Sequence, residues 1–281
     1  MLIGRGDTPS TTSAASRRLV GWRCCVVFCL FVARSGDATR LGAEPPEAAP
    51  AGPAARRHVV QQIEGWTVHV DQQLLEGAPD APGPQALRVL ANKLHEIALI
   101  VPAERVAKLR AIPIWIDLDH PLQSAQYHPD PGWLRAQGHD VAMAKAVHIP
   151  DVRHFLDLHR RNLQPSMVLH ELAHAYHDQV LGFDDPRIKQ VFEKCVEGQR
   201  YERVLHIMGH KERHYALTND REFFAEMTEA YFGTNDFYPF VRAEIADYDP
   251  PVRALLDEVW GRQETRRQPA DATGSLAAPP P

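Results

Sequence analysis

The sequence predicts an α+β fold, with a small mixed sheet in the N-terminal part and mainly helices in the C-terminal half. Runs rich in β-branched and aromatic residues are concentrated before residue 150. After residue 165, apolar residues recur at helical spacing between Gly and Pro signals that end helices. With 281 residues, of which 44% are hydrophobic and 24% charged, the chain has the composition of an ordinary globular protein.

The N-terminus is typical of an export signal. Arg17 and Arg18 precede an apolar run at residues 24–33. A membrane span needs about 20 apolar residues, whereas this run has the length of a signal-peptide core. We therefore expect residues 1–38 to be a signal peptide, with an uncleaved anchor as the alternative. The remaining chain is expected to be secreted or periplasmic, with no stable membrane span after cleavage.

Cysteine usage limits the kind of metal site that the chain can build. Three of the four cysteines lie within the predicted signal, so the mature chain keeps only Cys195. A single cysteine forms no internal disulfide, and any zinc site must rely on His and carboxylate ligands. Cys195 falls on the apolar face of a predicted helix, and we expect it to be buried and not to act as a nucleophile.

One domain is predicted over residues 57–262. The Pro- and Ala-rich residues 39–56 predict a linker, and residues 263–281 predict a disordered tail. The formal net charge of -5 gives no support for a nucleic-acid partner.

The strands are predicted in the first part of the domain, together with two helices. A β-hairpin is expected over residues 58–71, with its turn at Glu64-Gly65, and further strands at 112–118 and 146–150. Helices are expected over residues 84–99 and 103–110. The strand at 146–150 ends in proline, which suits an edge position or a strand end. From its position in the chain, we expect residues 146–149 to be the edge strand that pairs with an extended substrate.

The second part of the domain is predicted to be mainly helical. Asp151 is a candidate N-cap for a helix to about residue 159, Ser166 for a helix over 167–181, and Asn219 or Asp220 for a helix over 221–232. Other segments predict a strand–turn–strand unit around Gly209 and three further helices, over residues 186–199, 238–247 and 251–261.

The helix over 167–181 carries the central motif of the chain, the His-Glu-x-x-His pattern at residues 170–174. Residues four apart lie on one face of a helix, so His170 and His174 can bind one ion. Glu171 then lies beside the ion, where its carboxylate can accept a proton from water. This pattern predicts one zinc ion and a hydrolase, most simply a peptidase.

A zinc site of this kind needs a third protein ligand. A later histidine does not fit the usual extended pattern, because residue 177 is His where Gly is expected and residue 180 is Val. We expect His177 to lie near the site or at the surface. Glu222 and Glu226 share one face of a predicted apolar helix, so one carboxylate could bind the metal while the other orients a histidine through its distal N–H.

Residues 215–226, following the motif at 170–174, resemble the catalytic domain of the anthrax toxin lethal factor and Pro-Pro endopeptidase family, a gluzincin type of zinc peptidase. The resemblance covers about residues 167–232 and includes no receptor-binding or substrate-docking domain. It implies a zincin-like fold with zinc held by His170, His174 and Glu222. It further implies Glu171 as general base, Tyr215 as the hydroxyl that steadies the tetrahedral intermediate, and Glu226 as a residue that supports the ligands.

These patterns together predict a zinc-dependent endopeptidase that acts on a peptide or protein substrate. A hydroxyl aimed at the developing oxyanion fits Tyr215, with His214 as the rival donor. Two other functions stay open at this point. One is a zinc hydrolase of non-peptide or cell-wall amides, and the other is a zinc-binding interaction module without catalysis.

Overall fold

The computed structural model describes residues 56–122 and 124–261. The predicted signal peptide, the tail and nearly all of the linker lie outside the described residues. Within the described part, a small mixed sheet is followed by a mostly helical C-terminal half, which confirms the predicted α+β class.

Five strands form the main sheet in the order β1-β2-β3-β5-β4. The outer pairs β1–β2 and β5–β4 are antiparallel, whereas β2–β3 and β3–β5 are parallel. The strand bounds are β1 His58–Ile63, β2 Trp66–Asp71, β3 Ile114–Ile116, β4 Gln126–Tyr127 and β5 Val147–Ile149. The predicted hairpin is confirmed, and its turn has positive φ at both Glu64 (51°) and Gly65 (87°), as a tight two-residue turn requires.

The predicted edge position of the strand at 146–150 is wrong. Strand β5 is paired on both sides, with β3 and with β4. The outer strand on this side is β4, which with two residues is too short to show a period-2 hydrophobic pattern. This edge of the sheet therefore belongs to Gln126 and Tyr127, and the opposite edge belongs to β1.

Ten α-helices lie in the described residues. Their bounds are α1 Pro82–Ile100, α2 Ala103–Leu109, α3 Pro131–Ala136, α4 Val152–Leu156, α5 Leu158–Leu163, α6 Met167–Tyr176, α7 Pro186–Glu197, α8 Asp220–Phe232, α9 Arg242–Tyr248 and α10 Pro250–Trp260. A second, two-stranded sheet joins β6 Val204–Leu205 to β7 Lys211–Glu212 around Gly209, as predicted. None of the described helices is both long enough and apolar enough to span a bilayer.

Three predicted helices differ from the observed ones, and one of them, predicted over residues 238–247, begins only at Arg242. The segment after Asp151 is divided at Asp157 into α4 and α5, and each aspartate accepts hydrogen bonds from the amides that follow it. The helix that begins after Ser166 changes at residue 177 into a π-helical turn, His177–Leu181, which ends at Gly182 with φ 84°. Ser166 makes no capping hydrogen bond, because its hydroxyl donates to the carbonyl oxygen of Thr234 instead.

The two faces of the main sheet are covered differently. One face, which includes Val68, Ile114 and Val147, packs into the large apolar core together with α1, α6 and α8. On the other face, a row of registered neighbours runs from His69 through Trp115 to His148. Segment 128–146 covers part of that second face with a small apolar cluster of its own.

Helix α6 lies in the middle of the molecule, and Val168 to Tyr176 are all buried. A helix that is buried around its whole circumference cannot show the one-sided apolar stripe of a surface helix. It packs against α8, which is buried from Glu222 to Tyr231. Cys195 of α7 is a buried free thiol, as predicted. The contact between α6 and α8 brings together His170, His174 and Glu222.

Candidate metal centre

Three polar side chains from α6 and α8 converge inside the core. His170 and His174 lie one turn apart on α6, and Glu222 comes from the first turn of α8. Their side chains are 8%, 8% and 2% exposed, respectively. The three residues form a group that could hold a metal ion.

The distances within this triad suit a tetrahedral ion. His170 Nε2 and His174 Nε2 are 3.1 Å apart, and each lies 3.3 Å from Glu222 Oε2. Zinc with bonds of about 2.1 Å holds tetrahedral ligand atoms about 3.4 Å apart. The imidazoles meet edge to face, with ring centroids 4.7 Å apart and planes at 79°. Two nitrogens and one carboxylate oxygen therefore lie at nearly the separations that a single zinc ion requires.

Helix α8 is held in place at its N-terminus by Asn219. The Asn219 carboxamide oxygen accepts hydrogen bonds from Arg221 N–H and Glu222 N–H, both at 2.9 Å. A capping side chain of this type satisfies amide groups that have no partner within the helix. Because one of the two capped amides belongs to Glu222, the cap also positions the backbone of the acidic member of the triad.

Glu229, rather than Glu226, makes the short contact with the distal nitrogen of His170. Glu229 Oε1 is 2.6 Å from His170 Nδ1, whereas Glu226 Oε1 is 3.6 Å from it. Glu226 Oε2 instead accepts a hydrogen bond from Asn235 Nδ2 at 2.8 Å. An acceptor on the distal nitrogen fixes the tautomer and orientation of a metal-binding histidine. The spacing of 222, 226 and 229 along one helix face is the sequence signal that could have identified Glu229.

The centre concentrates negative charge in a buried place. Glu171, Glu222, Glu226 and Glu229 are all at most 5% exposed. Burial raises the pKa of Glu171, and burial together with Glu229 raises the pKa of Glu226 well above its usual range. Burying that many carboxylates is costly unless a cation lies among them. The donor set and its charge therefore fit a divalent metal ion.

The pKa values of the triad reflect the same electrostatics. Burial alone would lower the pKa of His170, but hydrogen bonds to Glu222 and Glu229 outweigh it and raise that pKa well above its usual value. For Glu222, burial would raise the pKa, and the two histidines outweigh burial and lower it. The two glutamates thus favour the protonated form of His170.

Glu171 is oriented by the edge of the sheet. Tyr127 N–H donates a hydrogen bond of 2.8 Å to Glu171 Oε2. Strand β4 is linked a second time to the segment that carries Glu171, because Tyr127 Oη donates at 2.6 Å to Asp178 in the π-helical turn after α6. The candidate base is therefore held next to the triad and beside the free edge of β4.

Tyr215 and His214 stand before α8 and differ in accessibility. Tyr215 is half-buried and begins a 3-10 turn, Tyr215–Thr218, that packs on α8. His214 is completely buried, stacks on Phe237, and accepts a hydrogen bond from Ala216 N–H at its Nδ1. Burial lowers the pKa of His214 to about 3, so its ring is neutral at neutral pH. These contacts make His214 part of the core.

His177 was expected either near the site or at the surface, and the structure excludes the surface position. Its side chain is completely buried, with its ring near those of Phe183 and Phe224 at centroid distances of 5.2 and 5.1 Å. Neither ring nitrogen of His177 has a hydrogen-bond partner in the described structure. The change from α- to π-helical hydrogen bonding starts at this residue. The ring is thus packed among apolar groups behind the triad.

The structure brings together three predicted site residues, His170, His174 and Glu222, and Glu171 lies beside them. Glu226 lies in the same buried group with Glu229, and Tyr215 lies on the turn that leads into α8. Comparison of the chain with protein-family models, with curated proteins and with solved structures found no match.

Proposed function

We propose that this chain is a zinc-dependent endopeptidase of the gluzincin type with a zincin-like fold. The observation that carries the proposal is the triangle of His170 Nε2, His174 Nε2 and Glu222 Oε2, with sides of 3.1 to 3.3 Å. A triad of two histidines and one glutamate leaves the fourth position of zinc open, as catalytic sites require. A purely structural site would use that position for a fourth protein ligand.

A zinc ion at the triad would supply Lewis acidity to a water molecule and to the scissile carbonyl. The chain supplies the proton transfers. Glu171 accepts the proton of the attacking water and passes it to the leaving amine. Burial raises the pKa of Glu171, which brings its basicity closer to that needed near neutral pH. Glu229 holds His170 in the tautomer that presents Nε2.

Tyr215 is the better candidate for the oxyanion donor. A donor must reach the substrate, and the imidazole of His214 is completely buried with its Nδ1 already occupied. Tyr215 is only partly buried and lies directly before the helix that carries Glu222. Removing one such donor costs on the order of 3 kcal/mol of transition-state stabilisation. Tyr215→Phe is therefore expected to lower kcat about a hundredfold with little change in KM.

An extended peptide is the substrate that suits the free edge of the sheet. Strand β4 borders Glu171, and its far side is already paired with β5. A substrate strand added along β4 would place its peptide bonds next to the triad. The proposed setting is extracytoplasmic, in line with the export signal expected over residues 1–38.

Cleavage of a peptide library by the zinc-loaded chain tests the proposal. Cleavage is expected for the wild type and not for Glu171→Gln, which keeps the shape of the side chain and removes its basicity. Glu197→Gln is a matched control, because Glu197 is exposed at the end of α7, and it should leave the rate unchanged. Equal cleavage by Glu171→Gln and wild type would overturn the mechanism. Cleavage of amides other than peptide bonds alone would favour the amidase alternative.

A further inference from the structure

A cluster of histidines lies on the sheet face that looks away from α6. Six of the fifteen histidines belong to it, and they are linked by ring contacts among themselves or with Trp115 and Trp133. The six are His58, His69, His120, His128, His139 and His148. Histidine is only intermediate in its tendency to be buried. Such a concentration on one covered face of a sheet calls for a chemical reason.

Asp117, directly after β3, is the acidic centre of this cluster. Its side chain is 1% exposed, and its two oxygens face His58 Nε2 at 2.6 Å and His148 Nε2 at 2.8 Å. A buried, ionised carboxylate between imidazoles is a strong ligand for a divalent cation.

His148 has the support that a metal-binding histidine usually has. While its Nε2 faces Asp117, its Nδ1 lies 3.2 Å from His128 Nε2. In the structure Nε2–H donates to the Asp117 carboxylate, and a shift of that proton to Nδ1, from which it is donated to His128, would free the Nε2 lone pair for an ion.

His120 brings the second imidazole. It lies in the loop between β3 and β4, half-buried, with its ring centroid 4.7 Å from that of His148. Ligand atoms of Asp117, His120 and His148 all lie within 4.8 Å of one another. Cation binding would replace the Asp117–His148 hydrogen bond.

We propose that Asp117, His120 and His148 form a second metal site, which takes a divalent transition-metal ion such as zinc. Two imidazoles and one carboxylate are a usual ligand set for zinc and for other first-row divalent ions, and they leave coordination positions for water. The site shares no ligand with the triad of α6 and α8, and the sheet separates the two. The second metal site is therefore a proposal that does not depend on the proposed peptidase activity.

Zinc content of the full chain with the first centre removed tests this site. The background variant is His170→Ala/His174→Ala, stripped with a chelator, reloaded with zinc, desalted and analysed by inductively coupled plasma mass spectrometry. We expect one zinc per chain in this background and none after adding His120→Ala. Adding His95→Ala, which removes an exposed histidine outside the cluster, should leave the zinc content unchanged.

Two outcomes would overturn the proposal. One is a folded background variant that retains no zinc, and the other is zinc that persists in equal amount after His120→Ala, because the ion would then lie elsewhere. If the background variant does not fold, the wild-type chain is titrated with Co²⁺ instead. Two spectroscopically distinct equivalents, of which His120→Ala removes one, support the site, and a single equivalent insensitive to His120→Ala contradicts it.

Discussion

Glu229 lies one turn beyond Glu226 on α8 and makes the 2.6 Å contact with His170 Nδ1. Loss of such an acceptor weakens metal binding about 10- to 100-fold. We therefore expect Glu229→Gln to raise the zinc dissociation constant of the triad by that factor, measured by competition with a chelator. Glu226→Gln is the matched comparison, since Glu226 Oε1 is 3.6 Å from the same nitrogen, and its effect should be smaller. The opposite ranking would assign the supporting role to Glu226.

His177 should make the stability of the fold depend on pH. Burial, followed by the charges of His174 and Arg221, lowers the pKa of His177 to about 4 in the folded chain. In the unfolded chain the imidazole has a pKa of about 6.5. When the pH falls from 7 to 5, the unfolded chain therefore binds a proton at this residue that the folded chain does not bind. The free energy of unfolding should therefore fall by about 2 kcal/mol over that interval through this residue alone.

Denaturant unfolding of His177→Leu at pH 7 and pH 5 measures that contribution. The variant should lose about 2 kcal/mol less than the wild type between the two pH values. His95→Leu, which changes an exposed histidine, should behave like the wild type. An unchanged pH dependence in His177→Leu would show that the buried ring is not what makes the fold sensitive to acid.

Most residues of the candidate metal centre could be predicted from the sequence, but the glutamate that contacts the distal nitrogen of His170 could not. His170, Glu171 and His174 follow from helical spacing, and Glu222 from its place on an apolar helix. The choice between Glu226 and Glu229 depends on side-chain rotamers within the packed core, which spacing does not determine. Likewise, His177 is polar in sequence, yet it is enclosed by Phe183 and Phe224 because α6 is buried on every side.

At the scale of elements, the N-terminus of α8 depends on one side chain. Asn219 accepts hydrogen bonds from the amides of Arg221 and Glu222. Loss of an N-cap side chain costs about 1 kcal/mol. Asn219→Ala should lower the free energy of unfolding by about this amount, and also weaken zinc binding because Glu222 loses its fixed backbone. Asn219→Asp restores an acceptor and should recover both quantities, and a failure to do so would point to other contacts of Asn219.

Strands were predicted better by type than by position in the sheet. The hairpin and β3 were visible from their residues, but β4 has only two residues and belongs to a loop rich in Pro and Gly. Because β4 was not predicted, β5 had only one predicted neighbour in the sheet. In the same way, the histidine cluster joins residues between 58 and 148 that show no regular spacing, and the pairing of strands together with the segments that connect them brings these residues together.

At the scale of the whole molecule, zinc should stabilise the fold. The triad joins α6 to α8 in the core, and an ion bound only by the folded chain adds about 2.7 kcal/mol at a hundredfold excess over its dissociation constant. For a domain of this size that corresponds to a rise of about 5 to 10 °C in the unfolding temperature. Calorimetry before and after chelation measures the rise, and the part absent from His170→Ala/His174→Ala belongs to the triad.

Strand β4 also restricts how the chain can vary in length. Tyr127 of β4 and the next residue, His128, direct their side chains to opposite sides of the sheet, since the Tyr127 hydroxyl reaches Asp178 while the His128 ring reaches His148. A shift by one residue would exchange these directions. A single insertion or deletion in the loop between Asp117 and Gln126 would thus disconnect Glu171 and the histidine cluster together. That loop lies between two elements of fixed register, and substitutions of its residues other than His120 should be tolerated far better than changes of length.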